Sequence, residues 1–234
     1  AASKADCLAS ATGGEVGFEL GEFDVGCRGL VLVAADRVCA ELIEVGATYE
    51  ETVAECARIR EERGLALVHS TNDPLVVAGA GTMTLEILEQ EPALDALVIA
   101  LGGGSQSVGA LTVAAAKKPS LRIYAVGARG ERLTGMKADT FAEGIATGSA
   151  YELTFGALKA GLAGFVTVSD EEMYAAIRDL LRITANLPEG AGAAGLAGLR
   201  HLAPELAGQC VGIVMCGGNL SSAALARAVA TATA

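Results

Sequence analysis

The amino-acid sequence predicts an α/β fold with a parallel sheet that helices cover on both faces. Short apolar runs alternate along the chain with segments of helical periodicity. The apolar runs are continuous, a pattern typical of parallel strands that are buried on both faces. Hydrophobic residues make up 52% of the chain and aromatic residues only 4%, so Ala, Val, Leu and Ile must build the core.

Seven apolar runs predict the strands, and 96–101 (ALVIAL) is the clearest buried strand among them. The predicted strands are 29–35, 41–45, 65–69, 96–101, 121–126, 164–168 and 211–215.

Helical periodicity and end signals predict seven helices between and after these strands. Gly64, Pro92 and Pro119 end the first three helices, and Ser169-Asp-Glu-Glu172 predicts an N-cap for the fifth. The predicted helices are 48–62, 82–91, 107–117, 154–160, the segment from Ser169 to Asn186, 191–202 and 220–230.

Composition excludes several classes of function. The formal net charge of −11 argues against a nucleic-acid partner. No apolar run reaches the roughly 18 residues of a membrane span, and the first residues lack a signal-peptide pattern, so we expect no membrane partner and a cytoplasmic location. The six cysteines form no CxxC pair and there are only two histidines, so we expect reduced cysteines and no metal site.

The loop Gly102-Gly-Gly-Ser105 lies between a predicted buried strand and a predicted helix. Open α/β sheets bind ligands at the carboxyl ends of their strands, and the N-terminus of a helix favours an anion. The loop therefore predicts a site for a phosphate-sized anion. A structural turn that needs glycine only for tightness is the alternative. A dinucleotide loop is disfavoured because GxGxxG is absent, and a P-loop is excluded because no GK[ST] follows.

Six sequence blocks, in order along residues 69–219, resemble the fold-type II pyridoxal-phosphate enzymes, which are tryptophan synthase β-like. The resemblance is to the threonine/serine dehydratase (ammonia-lyase) family. The blocks are HSTNDP (69–74), AGAGT (78–82) followed by LEILEQ, the glycine loop (100–109), ADTFAEGIAT (138–147), PEGA (188–191) and CGGN (216–219). This resemblance implies a large cofactor-binding domain over 67–234 and a smaller, mobile α/β domain over 1–66 that is incomplete.

The resemblance also implies roles for single residues around pyridoxal 5′-phosphate. The phosphate would be held by Gly102, Gly103, Gly104 and Ser105. The remaining positions are Cys216 at the pyridine nitrogen, Gly144 near the ring, Glu189 on the pyridine side and Thr71 at the substrate. Each of the last two has a structural alternative, a helix N-terminal carboxylate for Glu189 and a turn residue for Thr71, and Cys216 has that of a buried structural cysteine.

The activity that the resemblance implies is β-elimination of L-threonine or L-serine, which yields a 2-oxo acid and ammonia, in a homodimer. A neutral thiol at the pyridine nitrogen restrains the electron sink and favours elimination over transamination. Two alternatives stay open: a related lyase or racemase acting on another hydroxy amino acid, and a catalytically inactive cofactor-binding remnant.

The Schiff-base lysine of the family has no clear match in this sequence. Lys4 is the only lysine upstream of Ser10-Ala-Thr-Gly-Gly14, which resembles the start of the family's asparagine loop, and Lys4 is too close to that loop. We therefore expect these 234 residues to be part of a longer chain that supplies the lysine. The family's metal site uses a Glu after the strand matching 121–126, where this chain has Gly127, so no magnesium is expected there.

Overall fold

The computed structural model describes residues 8–9, 43, 49–128, 140–146 and 151–230. The chain divides into two units, Ala1–Ser70 and Thr71–Ala234. The predicted strands at 29–35 and 41–45 lie outside the described residues, apart from Ile43. The predicted roles of 1–66 as a mobile small domain and of 67–234 as the large domain stay predictions.

In the first unit, a 15-residue helix, α1 (Tyr49–Arg63), ends where Gly64 adopts a φ of +66°. This confirms the predicted helix and its glycine end signal. Strand β2 (Ala66–Leu67) pairs in antiparallel fashion with β1 (Leu8–Ala9), which the sequence did not predict. The observed strand is therefore shorter than the predicted strand 65–69.

The second unit contains a four-stranded parallel sheet. Its strands are β3 (Ala96–Ala100), β4 (Arg122–Ala128), β5 (Gly164–Val168) and β6 (Val211–Ile213), in the spatial order β5-β4-β3-β6. Every pairing in this sheet is parallel. The predicted parallel sheet is confirmed.

Helices cover both faces of this sheet, as predicted. They are α2 (Pro74–Gln90), α3 (Ser105–Lys117), α4 (Glu152–Gly161), α5 (Asp170–Thr184), α6 (Gly190–Leu202) and α7 (Ser222–Ala230). Leu97 and Ile99 of β3 share one core cluster with Ala110 of α3. Val98 of β3 lies in a second cluster with Ala193 of α6. Successive β3 side chains thus point into two separate cores, so this strand is buried on both faces. Within the described ranges, no helix combines the length and apolar character that a bilayer crossing requires.

Helix α2 begins at Pro74, eight residues before the predicted start at 82, so the predicted start is wrong. The Asp73 side chain accepts a hydrogen bond of 2.8 Å from the Leu75 backbone N–H, and Pro74 occupies the first helical position. Both features start a helix. The Ala78-Gly-Ala-Gly81 run that follows is intrinsically a poor helix former, which is why the sequence pattern hid this start.

Several other predicted boundaries are also wrong: α4 begins at Glu152 rather than at 154, α5 ends at Thr184 rather than at Asn186, and α7 begins at Ser222 rather than at 220. Helix α3 begins at Ser105 rather than at 107, because Gly104 serves as its N-cap. Strand β4 continues to Ala128 rather than ending at 126, so Gly127 lies within the strand. The residue that follows the end of β4 lies outside the described residues. Strand β6 ends at Ile213 rather than at 215. The expectation of no magnesium at Gly127 therefore stays a prediction.

Helices α2 and α3 approach closely at a pair of glycines. A Cβ atom built on Gly109 would lie 2.6 Å from the Gly81 nitrogen and 2.8 Å from the Val77 carbonyl oxygen. Both obstacles are backbone atoms, which cannot rotate away. A side chain at Gly109 would therefore force the two helices apart.

We expect Gly109→Ala to lower the free energy of unfolding by roughly 1–3 kcal/mol, because it overpacks this helix contact. Gly79→Ala is the matched control, since Gly79 lies in α2 with nothing within 4 Å of its would-be Cβ. It should raise the free energy of unfolding by roughly 0.5–1 kcal/mol. Urea denaturation of both variants measures the difference, and equal effects would contradict the assigned helix contact.

The N-terminus of α5 carries the predicted cap. The Glu172 backbone N–H donates to Ser169 Oγ at 3.3 Å, and the Ser169 backbone N–H donates to Glu172 Oε2 at 2.7 Å. His201 of α6 lies with its Nε2 atom 2.7 Å from Glu172 Oε1. Burial alone would raise the pKa of Glu172, but the hydrogen bonds from Ser169 and His201 outweigh it and lower the pKa.

Glu172 should make stability depend on pH in the acid range. A carboxyl group whose pKa is lower in the folded chain stabilises the fold above its unfolded pKa of about 4.3, and this contribution is lost as pH falls through the folded pKa. We expect wild-type protein to exceed Glu172→Gln in free energy of unfolding at pH 7, and this excess to shrink as the pH is lowered below about 4.3. Glu171→Gln controls for loss of a charge beside the same cap, and an excess that persists unchanged at low pH would contradict the prediction.

Candidate functional site

The glycine loop leaves the carboxyl end of β3 and enters α3. The Leu101 N–H donates to the Val126 carbonyl at 2.7 Å, which ties the start of the loop to β4. Gly104 has a φ of +99° and is the N-cap of α3 without a side-chain cap hydrogen bond. The first helical bond runs from the Val108 N–H to the Gly104 carbonyl at 2.9 Å. The amides of the first turn therefore have no acceptor within the helix, which is the arrangement that binds anions.

Side chains from the start of the second unit and from α4 pack against the glycine loop. A Cβ atom on Gly103 would overlap the hydroxyl of Thr71, which is buried, and lie 2.7 Å from its Cγ2. Thr154 Oγ1 donates to the Gly103 carbonyl at 2.9 Å. A Cβ atom on Gly104 would lie 2.8 Å from Leu158 Cδ1. Thr71 is thus brought against the predicted phosphate loop, and the contacts from α4 were not foreseen from the sequence.

Ser107 is a further residue that the sequence analysis did not identify. Its hydroxyl lies in the first turn of α3, is fully buried and has no hydrogen-bond partner in the described part of the chain. A buried hydroxyl without a hydrogen-bond partner lowers the stability of the fold. A hydrogen bond from Ser107 to a ligand at the adjacent candidate anion site would offset this cost. The signal in the sequence was the second serine of Ser105-Gln-Ser107, directly after the glycines.

A second loop, 216–219, leaves the sheet at the same edge as the glycine loop. The Val214 N–H donates to the Val98 carbonyl at 3.2 Å, so the pairing of β6 with β3 continues one residue beyond β6. Because β3 and β6 are adjacent and parallel, the residues that follow them meet at one edge of the sheet. Cys216 is half-buried and packs against the core cluster that contains Leu97 and Ile99 of β3 and Ala110 of α3.

Glu189 connects this second loop to α6. Its backbone N–H donates to the Gly217 carbonyl at 3.2 Å, and its Oε2 accepts a hydrogen bond from the Asn219 N–H at 3.2 Å. Gly217 has a φ of +82°, and a Cβ atom there would lie 2.5 Å from Glu189 Oε1. The same oxygen is 3.6 Å from the would-be Cβ of Gly144. The structure therefore gathers Gly144, Glu189 and the 216–219 loop at one place.

Other predicted positions lie elsewhere. Lys4 is outside the described residues. The lysines within the described ranges are Lys117 and Lys118 at the end of α3 and Lys159 in α4, so none of these lies in the glycine loop or in the 216–219 loop. No group of three or more His, Cys, Asp or Glu side chains in the described residues could hold a metal ion.

Comparison with known proteins identifies relatives over most of the chain. A family model described as pyridoxal-phosphate dependent enzyme matches residues 34–217. The L-threonine ammonia-lyase of Thermotoga maritima is 34% identical over 194 residues, which are 77% of this chain and 48% of that protein. The biosynthetic L-threonine dehydratase of Burkholderia multivorans is 32% identical over 195 residues, 77% of this chain and 38% of that protein. The chain thus spans less than half the length of these two relatives.

A third relative differs in its substrate. The L-threo-3-hydroxyaspartate ammonia-lyase of a Pseudomonas species is 32% identical over 203 residues, which cover 82% of this chain and 60% of that protein.

Solved structures share the fold. The processed form of threonine deaminase isoform 2 from Solanum lycopersicum superposes with a TM-score of 0.80 at 24% identity, over 87% of this chain and 60% of that chain. Maize serine racemase superposes with a TM-score of 0.78 at 25% identity, over 87% of this chain and 68% of that chain. These matches confirm the family and the fold class that the sequence blocks predicted.

The glycine loop should make the protein respond to inorganic phosphate. A ligand that binds only the folded state raises the thermal unfolding midpoint. We expect phosphate to raise the midpoint of the wild-type protein, and Gly104→Ala to abolish this rise, because alanine at a φ of +99° distorts the N-cap of α3.

Gly208→Ala is the matched control for this substitution. Gly208 also has a positive φ, +78°, but nothing lies within 4 Å of its would-be Cβ, and it lies in the connection between α6 and β6. This variant should lose stability through the same kind of backbone strain while keeping the phosphate response. The same rise in all three proteins, against sodium chloride of equal ionic strength, would contradict an anion site at this loop.

Proposed function

Because the chain belongs to the pyridoxal-phosphate dependent enzymes, we propose that the protein catalyses β-elimination of L-threonine or L-serine to a 2-oxo acid and ammonia. Pyridoxal 5′-phosphate is the cofactor of this family. One observation carries the proposal: the glycine loop and the 216–219 loop leave adjacent parallel strands at one edge of the sheet.

The phosphate fits the first of these loops. The backbone of Gly102, Gly103, Gly104 and Ser105 would hold it, together with the uncapped amides of the first turn of α3. The positive φ of Gly104 is a conformation that other residues rarely adopt. The buried hydroxyl of Ser107, which has no partner among the described residues, is a further donor within this turn.

The ring would lie on the side of the 216–219 loop. Bound pyridoxal phosphate supplies an electron sink for negative charge at the substrate Cα. Cys216 would face the ring nitrogen with a neutral group and so restrain that sink, which favours elimination over transamination. Gly144 would lie near the ring, and Glu189 would hold the loop through the Asn219 N–H.

The substrate is an amino acid, as the family implies. Thr71, which packs against Gly103, would contact it at the phosphate side of the site. The lysine that binds the cofactor would come from outside the described residues, where Lys4 also lies. A homodimer, a cytoplasmic location and the absence of nucleic-acid and membrane partners belong to the same proposal, and the acidic net charge of −11 supports the exclusion of nucleic acid.

A second candidate function is a related lyase or racemase. The similarity to the L-threo-3-hydroxyaspartate ammonia-lyase favours a lyase for an acidic hydroxy amino acid. The two lyase activities differ in the substrate side chain and not in the cofactor, so the phosphate and ring positions are the same for both.

The decisive experiment is an assay of the full-length protein with pyridoxal 5′-phosphate and L-threonine. We expect 2-oxobutanoate and ammonia in equal amounts, and pyruvate when L-serine is supplied. Cys216→Ser should keep this activity, whereas Cys216→Asp should lower it by roughly tenfold or more, because a carboxylate there stabilises a protonated ring nitrogen.

Each other result has a distinct meaning. D-allo-threonine, the product of inversion at Cα alone, without 2-oxobutanoate indicates a racemase, and turnover only of 3-hydroxyaspartate indicates the acidic lyase. A full-length protein that gains no visible absorbance from the cofactor is incompatible with all of these activities.

A further inference from the structure

The segment 140–146, which belongs to the connection between β4 and α4, lies against the first residues of α6. A Cβ atom on Gly190 would lie 2.8 Å from Phe141 Cε2 and 2.8 Å from the Ala142 Cβ. A Cβ atom on Gly144 would lie 2.9 Å from the Ala191 Cβ. Glycine on both sides therefore allows the segment and the start of α6 to touch directly.

Helix α5 holds this segment from the other side. Asp170 Oδ1 accepts a hydrogen bond of 2.5 Å from the Thr140 hydroxyl, and its Oδ2 accepts one of 3.4 Å from the Phe141 N–H. The Tyr174 ring stacks on the Phe141 ring with centroids 4.1 Å apart and planes 10° apart. Asp170 and Tyr174 are four residues apart, so they share one face of α5 and both contact segment 140–146.

The tyrosine is itself held in place. Tyr174 is only 5% exposed, and Arg227 of α7 lies over its ring with Cζ 4.9 Å from the centroid. The Arg227 guanidinium also contacts Glu171 Oε1 at 3.1 Å. A stacked aromatic pair with a cation over one ring adds attraction beyond the burial of apolar area. These contacts therefore hold the Phe141 ring in one position.

The position of the Phe141 ring also determines where Glu189 lies. Glu189 directly precedes Gly190, against which Phe141 packs, and its carboxylate lies between the would-be Cβ positions of Gly144 and Gly217. The carboxylate also accepts the Asn219 N–H. A shift of the segment would displace Glu189 and, through it, the 216–219 loop. The glycine loop, in contrast, makes none of the contacts described for Asp170 and Tyr174.

We propose that Asp170 and Tyr174 are positioning residues for the ring side of the cofactor pocket. They fix segment 140–146 against α6 and thereby set the places of Gly144 and Glu189. This inference rests on the proposed function, since it assigns the ring to that side. It implies that the two residues govern affinity for the cofactor's ring and leave affinity for its phosphate unchanged.

The test compares two probes on the full-length protein. Pyridoxine 5′-phosphate carries the ring and phosphate but no aldehyde, so its binding does not need the lysine, and inorganic phosphate reports the glycine loop alone. We expect Tyr174→Leu and Asp170→Asn to weaken pyridoxine 5′-phosphate binding by roughly tenfold. Both should bind inorganic phosphate as the wild-type protein does.

Two matched variants separate positioning from general stability. Tyr174→Phe keeps the stacked ring and should bind both probes normally. Tyr124→Leu removes another buried tyrosine that lies near an arginine, with Arg122 Cζ 5.6 Å from its centroid, but in β4, where its hydroxyl donates to Glu205. It should lose stability without a selective loss of pyridoxine 5′-phosphate affinity.

The outcomes distinguish this inference from the proposed function. Wild-type protein that binds inorganic phosphate but not pyridoxine 5′-phosphate overturns the proposed function and this inference with it. Wild-type protein that binds both, with Asp170→Asn and Tyr174→Leu unchanged or equally weakened toward both probes, overturns the inference alone. If Tyr174→Leu does not fold, Asp170→Asn decides by the same criterion.

Discussion

The pairing of β3 with β6 is the constraint on which the candidate site depends. All five residues of β3 are buried, and the strand lies between β4 and β6 in parallel register. The Val98 carbonyl accepts the Val214 N–H, so the two backbones stay paired almost to their carboxyl ends. Loops more than a hundred residues apart in sequence, 102–105 and 216–219, therefore start from one rigid edge. A change in the register of either strand would separate the two halves of the site.

Helix α6 adds a second constraint, because it lies almost directly on the backbone of the sheet. A Cβ atom on Gly195 would lie 3.4 Å from the Val98 carbonyl oxygen, and one on Gly198 would overlap the Val126 side chain. At Gly192 the obstacles are the carbonyl oxygens of Cys216 and Gly217, at 2.9 and 2.8 Å. Small residues in α6 thus bring its N-terminus against the 216–219 loop, and this is how Glu189 reaches the Asn219 N–H.

The sequence predicts best those features that depend on neighbouring residues. The strand 164–168 has the predicted bounds, and Ser169 caps α5 as its local pattern indicates. The start of α2 has local signals, Asp73 and Pro74, but the glycines that follow them are poor helix formers, and only the tertiary contact of Gly81 with Gly109 explains their presence in a helix. The same limit applies to the site. The position of the glycine loop is a local property, whereas the hydrogen bond from Thr154 to that loop joins residues 51 positions apart.

This difference also separates the two halves of the proposed pocket. The proposed phosphate half consists of one loop and the helix that follows it, so its donors would be set by the local backbone and by the dipole of α3. The ring half combines segment 140–146, the start of α6 and the 216–219 loop, which only the packing of α5 and α6 brings together. Substitutions in the helical layer can therefore alter the ring half while the phosphate loop keeps its geometry. In a fold that serves ammonia-lyases and racemases alike, such an arrangement allows the chemistry at the ring to diverge around a constant phosphate anchor.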